Sequence, residues 1–356
     1  MKTAIIGLPM TGKTSLFTIL TGVHQETRIG STAVRTGIAK VPDVRLEELA
    51  KLFEPGKVTH ASVEYLDVPA IAKENLRDPS YVASLRVVDA FAHVLRLFED
   101  ESIPHEKGSI DPIRDLEDVE MELVLNDLVV VEKRLERLEK DRKKIKSADL
   151  DREFETLIHC KETLEANKPL RQLELDSEHE KLIRGFQFLS QKPMLYVLNA
   201  GEGDAGRLRE IEAEYRERLS SRPHTAVSAI CGKIEAELAE LPPEEAGEYL
   251  ASYGLAESGL VRLISATYAL LGLMSFLTAG EDEVRAWTIP AGSTAVKAAG
   301  AIHSDFEKKF IRAEVVNWQS LVELGGYAGV REKGLLRLEG KEYIVKDGDV
   351  LVIRHG

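Results

Sequence analysis

Gly7-Leu8-Pro9-Met10-Thr11-Gly12-Lys13-Thr14 follows the short apolar run Ala4-Ile5-Ile6 and precedes a periodic apolar segment through Leu16, Phe17 and Leu20. Strand, glycine-rich turn and helix in that order open many α/β domains. The eight residues fit GxxxxGK[ST], whose glycines let backbone N–H groups curl around phosphate oxygens. Lys13 is spaced to reach the β- and γ-phosphates, and the Thr14 hydroxyl to ligate Mg²⁺.

Outward from this loop, Val63 to Asp67, Ala90 to Leu97 and Met194 to Leu198 are short apolar runs of the kind that form buried parallel strands. They predict a P-loop NTPase fold of the α/β class, with a doubly wound, mostly parallel sheet. Between the last two runs, Met121, Val124, Leu128, Val131, Leu135 and Leu138 recur at intervals of three and four, a heptad seam. The charged run Lys140 to Lys144, helix-capping residues Ser147 to Asp149 and a second seam through Phe154, Leu157 and Leu164 then predict an inserted antiparallel helical hairpin. The plainest reading of the basic run is a solvated helix face. Ala266 to Gly280, the most apolar stretch, is too short and too polar to span a bilayer and reads as a buried helix. Beyond about Thr278, shorter β-rich runs punctuated by glycines (Val284 to Ile289, Phe310 to Val316, Gly334 to Leu338, Tyr343 to Val345, Val350 to Ile353) predict a small α+β domain.

A chain of 356 residues accommodates two or three such domains. Its net charge of −13 argues against indiscriminate binding to nucleic acid or anionic lipid, so neither a DNA nor a membrane partner is expected. The acidity is uneven: from Glu281 onward 11 Lys and Arg face 12 Asp and Glu, against 36 and 48 before it. Two cysteines, Cys160 and Cys231, far apart and outside any CxxC or Cys/His cluster, suggest neither a disulfide framework nor a zinc site and fit a reducing cytoplasm.

Two further stretches bear on the nucleotide. Asp67 closes an apolar run about 50 residues after the loop, where P-loop proteins place a carboxylate that holds Mg²⁺ directly or through water. Asn199-Ala200-Gly201-Glu202 follows the strand ending at Leu198, at the sheet edge where ligands bind. A GTPase would carry Asn-Lys-x-Asp there; Ala200 and Glu202 stand at the Lys and Asp positions, which disfavours guanine.

The chain resembles the YchF-type, Obg-like ATPases of the translation-factor class of P-loop NTPases. The resemblance is carried by Lys233 to Leu241 (KIEAELAEL), Thr278 to Pro290 (TAGEDEVRAWTIP), Ile302 to Val315 (IHSDFEKKFIRAEV), Phe98-Glu99-Asp100, Asp111 to Asp115 (DPIRD) and Glu339 to Val350 (EGKEYIVKDGDV), and runs essentially end to end. It implies a G domain at 1–115 and 186–277, a helical hairpin at 116–185 and a C-terminal TGS domain of ubiquitin-like fold at 278–356. It makes Gly7, Pro9 and Met10 to Ser15 (Met10, Thr11, Gly12, Lys13, Thr14, Ser15) the phosphate loop, with Thr14 on the metal. Ser31 or Thr32 takes the place of the switch I threonine that completes the metal shell, and Asn199 and Glu202 imply adenine preference. Cys231-Gly232-Lys233 replaces Ser-Ala-Lys beside the base. Ile71 stands where small GTPases place a water-orienting glutamine, and His105, before Gly108-x-x-Asp111-Pro112, is the implied substitute, able to orient water or relay a proton.

One departure stands out. The family's Asp-x-Ala-Gly-Leu and glycine-rich switch is here Asp67-Val68-Pro69-Ala70-Ile71-Ala72-Lys73-Glu74-Asn75. Glycine would let the backbone swing toward the γ-phosphate; Pro69 and Ala70 stiffen it. The expectation is a cytoplasmic ATPase that binds ATP in preference to GTP, uses Mg²⁺, turns over slowly, and associates with ribosomes or ribosomal RNA or protein through the hairpin and TGS domain. The competing expectation is a nucleotide-binding interaction protein whose switch has degenerated. A P-loop small-molecule kinase is a third, for which the sequence offers no acceptor pocket.

Overall fold

The computed structural model of the chain describes residues 1–23 and 34–356. Among these residues the strands are β1 (Lys2–Ile6), β2 (Arg35–Lys40), β3 (Lys57–Thr59), β4 (Ser62–Asp67), β5 (Ala90–Arg96), β6 (Met194–Asn199), β7 (Thr225–Ile230), β8 (Leu273–Ala279), β9 (Glu283–Pro290), β10 (Phe310–Asn317), β11 (Arg337–Glu339) and β12 (Asp349–His355). They make two six-stranded sheets, and the chain divides into two compact units, residues 1–38 with 64–270 and residues 39–63 with 271–356.

The first sheet has the order β2-β4-β1-β5-β6-β7, with β1 parallel to both β4 and β5, and β6 parallel to β5 and β7. Apolar side chains on both faces of its central strands explain the parallel arrangement, because helices cover each face. Ile5, Ile6, Phe91, Val94, Leu195 and Val197 are all fully buried. The register aligns Ile5 with Asp67 and Arg96 with Asn199, which brings the loops after β1, β4 and β6 to one edge. That edge holds the site.

The hairpin consists of the helices Pro112–Lys144 and Ala148–Glu165. The Asp111 side chain caps the first by accepting from the Arg114 N–H, and Pro112 suits its first turn. Val124, Val131, Leu135 and Leu138 are buried in one cluster with Leu157, Cys160 and Leu164, so the seam is satisfied within one hairpin. Arg142, in the basic run, pairs with Asp151 at 2.5 Å and lies over the Phe154 ring. At its root the hairpin is fastened to the sheet unit by two buried carboxylates. Asp127 accepts from the backbone of Leu189 (3.0 Å) and Ser190 (2.7 Å), and Glu120 accepts from Tyr196 Oη (2.7 Å) and pairs with Arg171 and Arg222.

The second unit is a mixed sheet of order β11-β10-β12-β8-β9-β3, in which β8 and β9 form an antiparallel hairpin and β12 runs parallel to β8. The helix Ala295–Ile302 buries Ala295, Ala298 and Ala299 in a cluster with Phe276, Ile289 and Val315, the α+β arrangement expected of the C-terminal domain.

Three expectations need correction. Ala266 to Gly280 is not one helix: the helix Gly259–Leu270 ends, Gly272 takes φ +64°, and the remainder is β8. Apolar runs do not distinguish buried helix from buried strand, and the left-handed glycine decides it. Tyr343 to Val345 forms no strand but one bridge, Ile344 to Thr294. Residues 39–63, expected in the G domain, group with the C-terminal residues, because β3 pairs in parallel with β9 and Thr59 Oγ1 donates to Glu283 at 2.5 Å. The helix Val44–Phe53 joins them, its Arg45 pairing with Asp347 and its Phe53 ring resting 5.7 Å from Tyr327.

Leu157→Ala removes a fully buried seam side chain. It should lower unfolding free energy by about 2–5 kcal/mol in urea titration, whereas Val129→Ala, on an exposed position of the partner helix, should change it by less than about 0.5 kcal/mol.

Candidate functional site

The loop after β1 is shaped by its backbone. Gly7, Met10 and Gly12 have φ of +144°, +60° and +95°. Left-handed residues interleaved in this way turn successive N–H groups inward as an anion nest. A Cβ on Gly7 would lie 2.7 Å from the Val94 carbonyl oxygen, and one on Gly12 would lie 2.5 Å from Asn199 Nδ2, so both positions demand glycine. The helix Lys13–Thr21 starts at Gly12 with no capping side chain, which leaves its first N–H groups directed at the loop's mouth.

Asn199 fixes this loop to the far side of the site. Its Nδ2 donates to the Thr11 carbonyl and its Oδ1 accepts from the Gly232 N–H, each at 3.0 Å, and the side chain is buried. A cavity of about 470 Å³ opens beside it, lined by Met10, Gly12 and Ser15 on the loop side and by Phe98, Glu202 and Lys233 opposite. Its size and apolar walls, with few polar groups, suit a purine. Glu202 and Lys233 pair across it at 2.5 Å. Cys231 does not line the cavity; its side chain is buried in the sheet core, where burial pushes the thiol's pKa up, so its part is limited to backbone placement of Gly232 and Lys233. Gly7, Pro9 and Thr11 likewise belong to the loop and not to the cavity wall, Thr11 Oγ1 donating back to Leu8.

Lys13 is buried and its ammonium donates to the Leu8 carbonyl. Burial lowers its pKa to about 8, against the opposing pull of Asp67 and Glu106. Beneath the loop, His93 is wholly buried, with both ring nitrogens lacking a hydrogen-bond partner among the described residues. Burial, then Lys13 and Arg171, depress it to about 3, so the imidazole is neutral and adds no charge against Lys13.

Thr14 Oγ1 donates to Asp67 Oδ2 at 3.0 Å. For a nucleotide and Mg²⁺ the donor set fits: a glycine cradle, uncapped N–H groups, a cation, and a hydroxyl beside a carboxylate. Thr32 and Ser31, the expected switch I ligands, lie outside the described residues.

His105, the implied water-orienting residue, is held in a hydrogen-bond network of its own. Its Nε2 lies 2.8 Å from Asp115 Oδ2 and its Nδ1 accepts from the Lys107 N–H at 3.1 Å, while Arg114 holds the other Asp115 oxygen. Both nitrogens are engaged, because a ring two residues before an N–H and ten before a buried carboxylate closes its own local network. The switch stretch is also tied down. Ile71 N–H donates to the Gly7 carbonyl (3.3 Å), Tyr81 Oη to the Pro69 carbonyl (2.8 Å) and Asn75 Nδ2 to the Ala70 carbonyl (2.8 Å), and Ile71 is buried in the core.

Sequence reasoning missed Arg35, whose guanidinium pairs with Asp67 Oδ2, and the apolar walls Leu16, Ile230 and Ala236. Helical spacing of Leu16 was visible, but which apolar residues face a cavity and which face the core is a tertiary matter.

Gly12→Ala should destabilise the fold by about 1–3 kcal/mol, the cost of a side chain in left-handed backbone with a close contact. Denaturant unfolding measures it, and Gly22→Ala, also at positive φ but with open space around it, isolates the contact from the backbone strain.

Residues 273–356 match the YchF-GTPase_C family model, described as a protein of unknown function (DUF933). "Ribosome-binding ATPase YchF" of Bacillus subtilis is 42% identical, with 99% of each chain covered, and the protein of that name from Escherichia coli O157:H7 is 38% identical, with 98% of each covered. The solved YchF GTPase of Schizosaccharomyces pombe superimposes with a TM-score of 0.85 at 29% identity, over 99% of this chain and 97% of that one. With its phosphate loop, inserted hairpin and C-terminal domain matched over nearly the whole length, the chain belongs to the YchF family of P-loop NTPases.

Proposed function

We propose that the chain is a cytoplasmic ATPase that binds ATP with Mg²⁺, hydrolyses it slowly and works in association with the ribosome. The observation that carries the reading is the Asn199 bracket, which holds the phosphate loop and a purine-sized cavity in one rigid frame. Relatives across the full length bear the name "Ribosome-binding ATPase", which supports both the nucleotide and the ribosomal association. The hairpin and the C-terminal domain are the surfaces offered to ribosomal RNA or protein.

Lys13 neutralises charge on the transferring phosphoryl group, with loop N–H groups beside it. Thr14 and Asp67 would hold Mg²⁺, which would supply charge neutralisation to the phosphates; Thr32, the expected further ligand, lies outside the described residues. Asn199 sets the frame. Glu202 offers an acceptor to an exocyclic amine, and its pairing with Lys233 leaves it poorly suited to take both N–H donors of guanine, so ATP is favoured over GTP. His105 must release Lys107 or Asp115 before it can orient water, which makes slow turnover the expectation.

A second reading is favoured by the pinned switch: a nucleotide-binding interaction protein with little or no hydrolysis, its Pro69 and Ala70 carbonyls held by Tyr81 and Asn75. Single-turnover release of phosphate from labelled ATP separates the two. Hydrolysis that falls at least roughly a hundredfold in Lys13→Ala supports the ATPase; tight binding without release transfers the case to the interaction protein. Tighter binding of GTP than of ATP in parallel titrations overturns the adenine assignment.

The position of Lys13 also sets a pH dependence. Its free-state pKa near 8 is raised by a bound triphosphate, so binding takes up a proton above that pH. Affinity for ATP should be flat from pH 6.5 to 7.5 and fall above pH 8 by up to about tenfold per unit, and Lys13→Ala should remove the slope in calorimetric titration.

A further inference from the structure

Asp67 ends β4 in register with Ile5, so its carboxylate is fixed beside the phosphate loop. Its Oδ2 is shared: Thr14 Oγ1 donates to it, and so does the Arg35 guanidinium. Both partners in the ion pair are close to buried, with side chains 10% and 7% exposed. On its other side Arg35 rests over the ring of Phe17, 5.2 Å from the centroid, and Phe17 is itself wholly buried in the helix Lys13–Thr21. A guanidinium held between a carboxylate and an aromatic face has one position, unlike a solvated surface charge.

The consequence is a matter of charge. A bare Asp67 carboxylate beside the loop would repel a triphosphate, and in a site of low exposure that repulsion is large. Arg35 cancels it. The same guanidinium occupies the oxygen that Mg²⁺, directly or through water, would draw on, and among the described residues no group of three or more His, Cys, Asp and Glu offers a substitute ligand set. We infer that Arg35 is a built-in counter-cation of the nucleotide site, which neutralises Asp67 when Mg²⁺ is absent, competes with the metal for that carboxylate, and thereby makes triphosphate binding only weakly dependent on Mg²⁺. The inference rests on the reading of Met10 to Ser15 as a triphosphate loop.

The test is calorimetric titration of the full-length chain with the non-hydrolysable β,γ-imido analogue of ATP, in excess MgCl₂ and again in excess EDTA. The readout is the ratio of the two dissociation constants. Wild type should keep most of its affinity in EDTA. Arg35→Gln should weaken binding in EDTA by about tenfold or more, the effect of uncovering a charge at close range, while binding in MgCl₂ holds or tightens, so the ratio widens. Arg35→Lys, which keeps the charge, should stay near wild type. Asp67→Asn should bind the analogue in EDTA at least as tightly as wild type and gain little from MgCl₂; adding Arg35→Gln to it should leave the ratio unchanged.

An unchanged ratio in a folded Arg35→Gln protein overturns the role of Arg35 while leaving the nucleotide reading intact. A ratio that still widens when Arg35→Gln is added to Asp67→Asn also overturns it, because Arg35 would then act on the phosphates themselves. Should Arg35→Gln fail to fold, weaker binding of the analogue by Asp67→Asn in EDTA overturns it by itself. Absence of binding by wild type under both conditions overturns the triphosphate loop as well.

Discussion

The candidate nucleotide site depends on a single amide. Asn199 ends β6, and its side chain is the shared partner of the phosphate loop and of the turn that opens the helix Gly232–Glu240. A buried amide that spends a donor and its acceptor on two main chains ties them more firmly than side-chain packing would, since leaving either backbone group unpaired costs about 1–3 kcal/mol. The demand for glycine at position 12 follows from it: the loop can approach Asn199 this closely only without a Cβ. The cavity is then bounded by elements that the amide has already fixed.

The parts of the fold that were legible in the sequence are those whose cause is local. The phosphate loop is a run of backbone conformations demanded by Gly7 and Gly12, and a run of eight residues displays it. The heptad seams were equally plain, because Val124 to Leu138 and Leu157 to Leu164 need only one another. Partnerships formed at long range were hidden. Nothing beside Lys57-Val58-Thr59 announces that these three residues extend a sheet whose neighbouring strand begins at Glu283. Gly272 divides an apolar run into helix and strand through its left-handed backbone, and its identity alone does not reveal that. Candidate site residues Asp67 and Glu202 were visible by type and spacing, yet what each already holds was not: Arg35 on Asp67 and Lys233 on Glu202 are meetings of distant segments.

A common pattern links the hairpin root and the switch. In both, polar groups buried near the sheet are used to hold a segment in one register. Glu120 and Asp127 orient the long helix on the sheet unit through Tyr196, Arg171, Arg222 and two main-chain N–H groups. Such buried charges add little net stability compared with apolar packing, but breaking one partner is costly, so they specify position more than they stabilise it. Between Pro69 and Asn75 the holding groups are neutral: Tyr81 Oη and Asn75 Nδ2 donate to the carbonyls of Pro69 and Ala70.

The recruitment of residues 39–63 into the C-terminal unit bears on how the chain is made. Thr59 emerges 224 residues before the Glu283 with which it bonds. At ordinary synthesis rates of about 5–20 residues per second, that separation corresponds to roughly ten to forty-five seconds. Throughout that interval β3 and the helix Val44–Phe53 lack the strand and helix faces they will finally cover, with Leu46 and Leu49 still to be buried. The first unit, by contrast, has its last residue at Leu270. Vectorial synthesis thus completes the sequence of the first unit while the segment between its two stretches is still waiting for its partners.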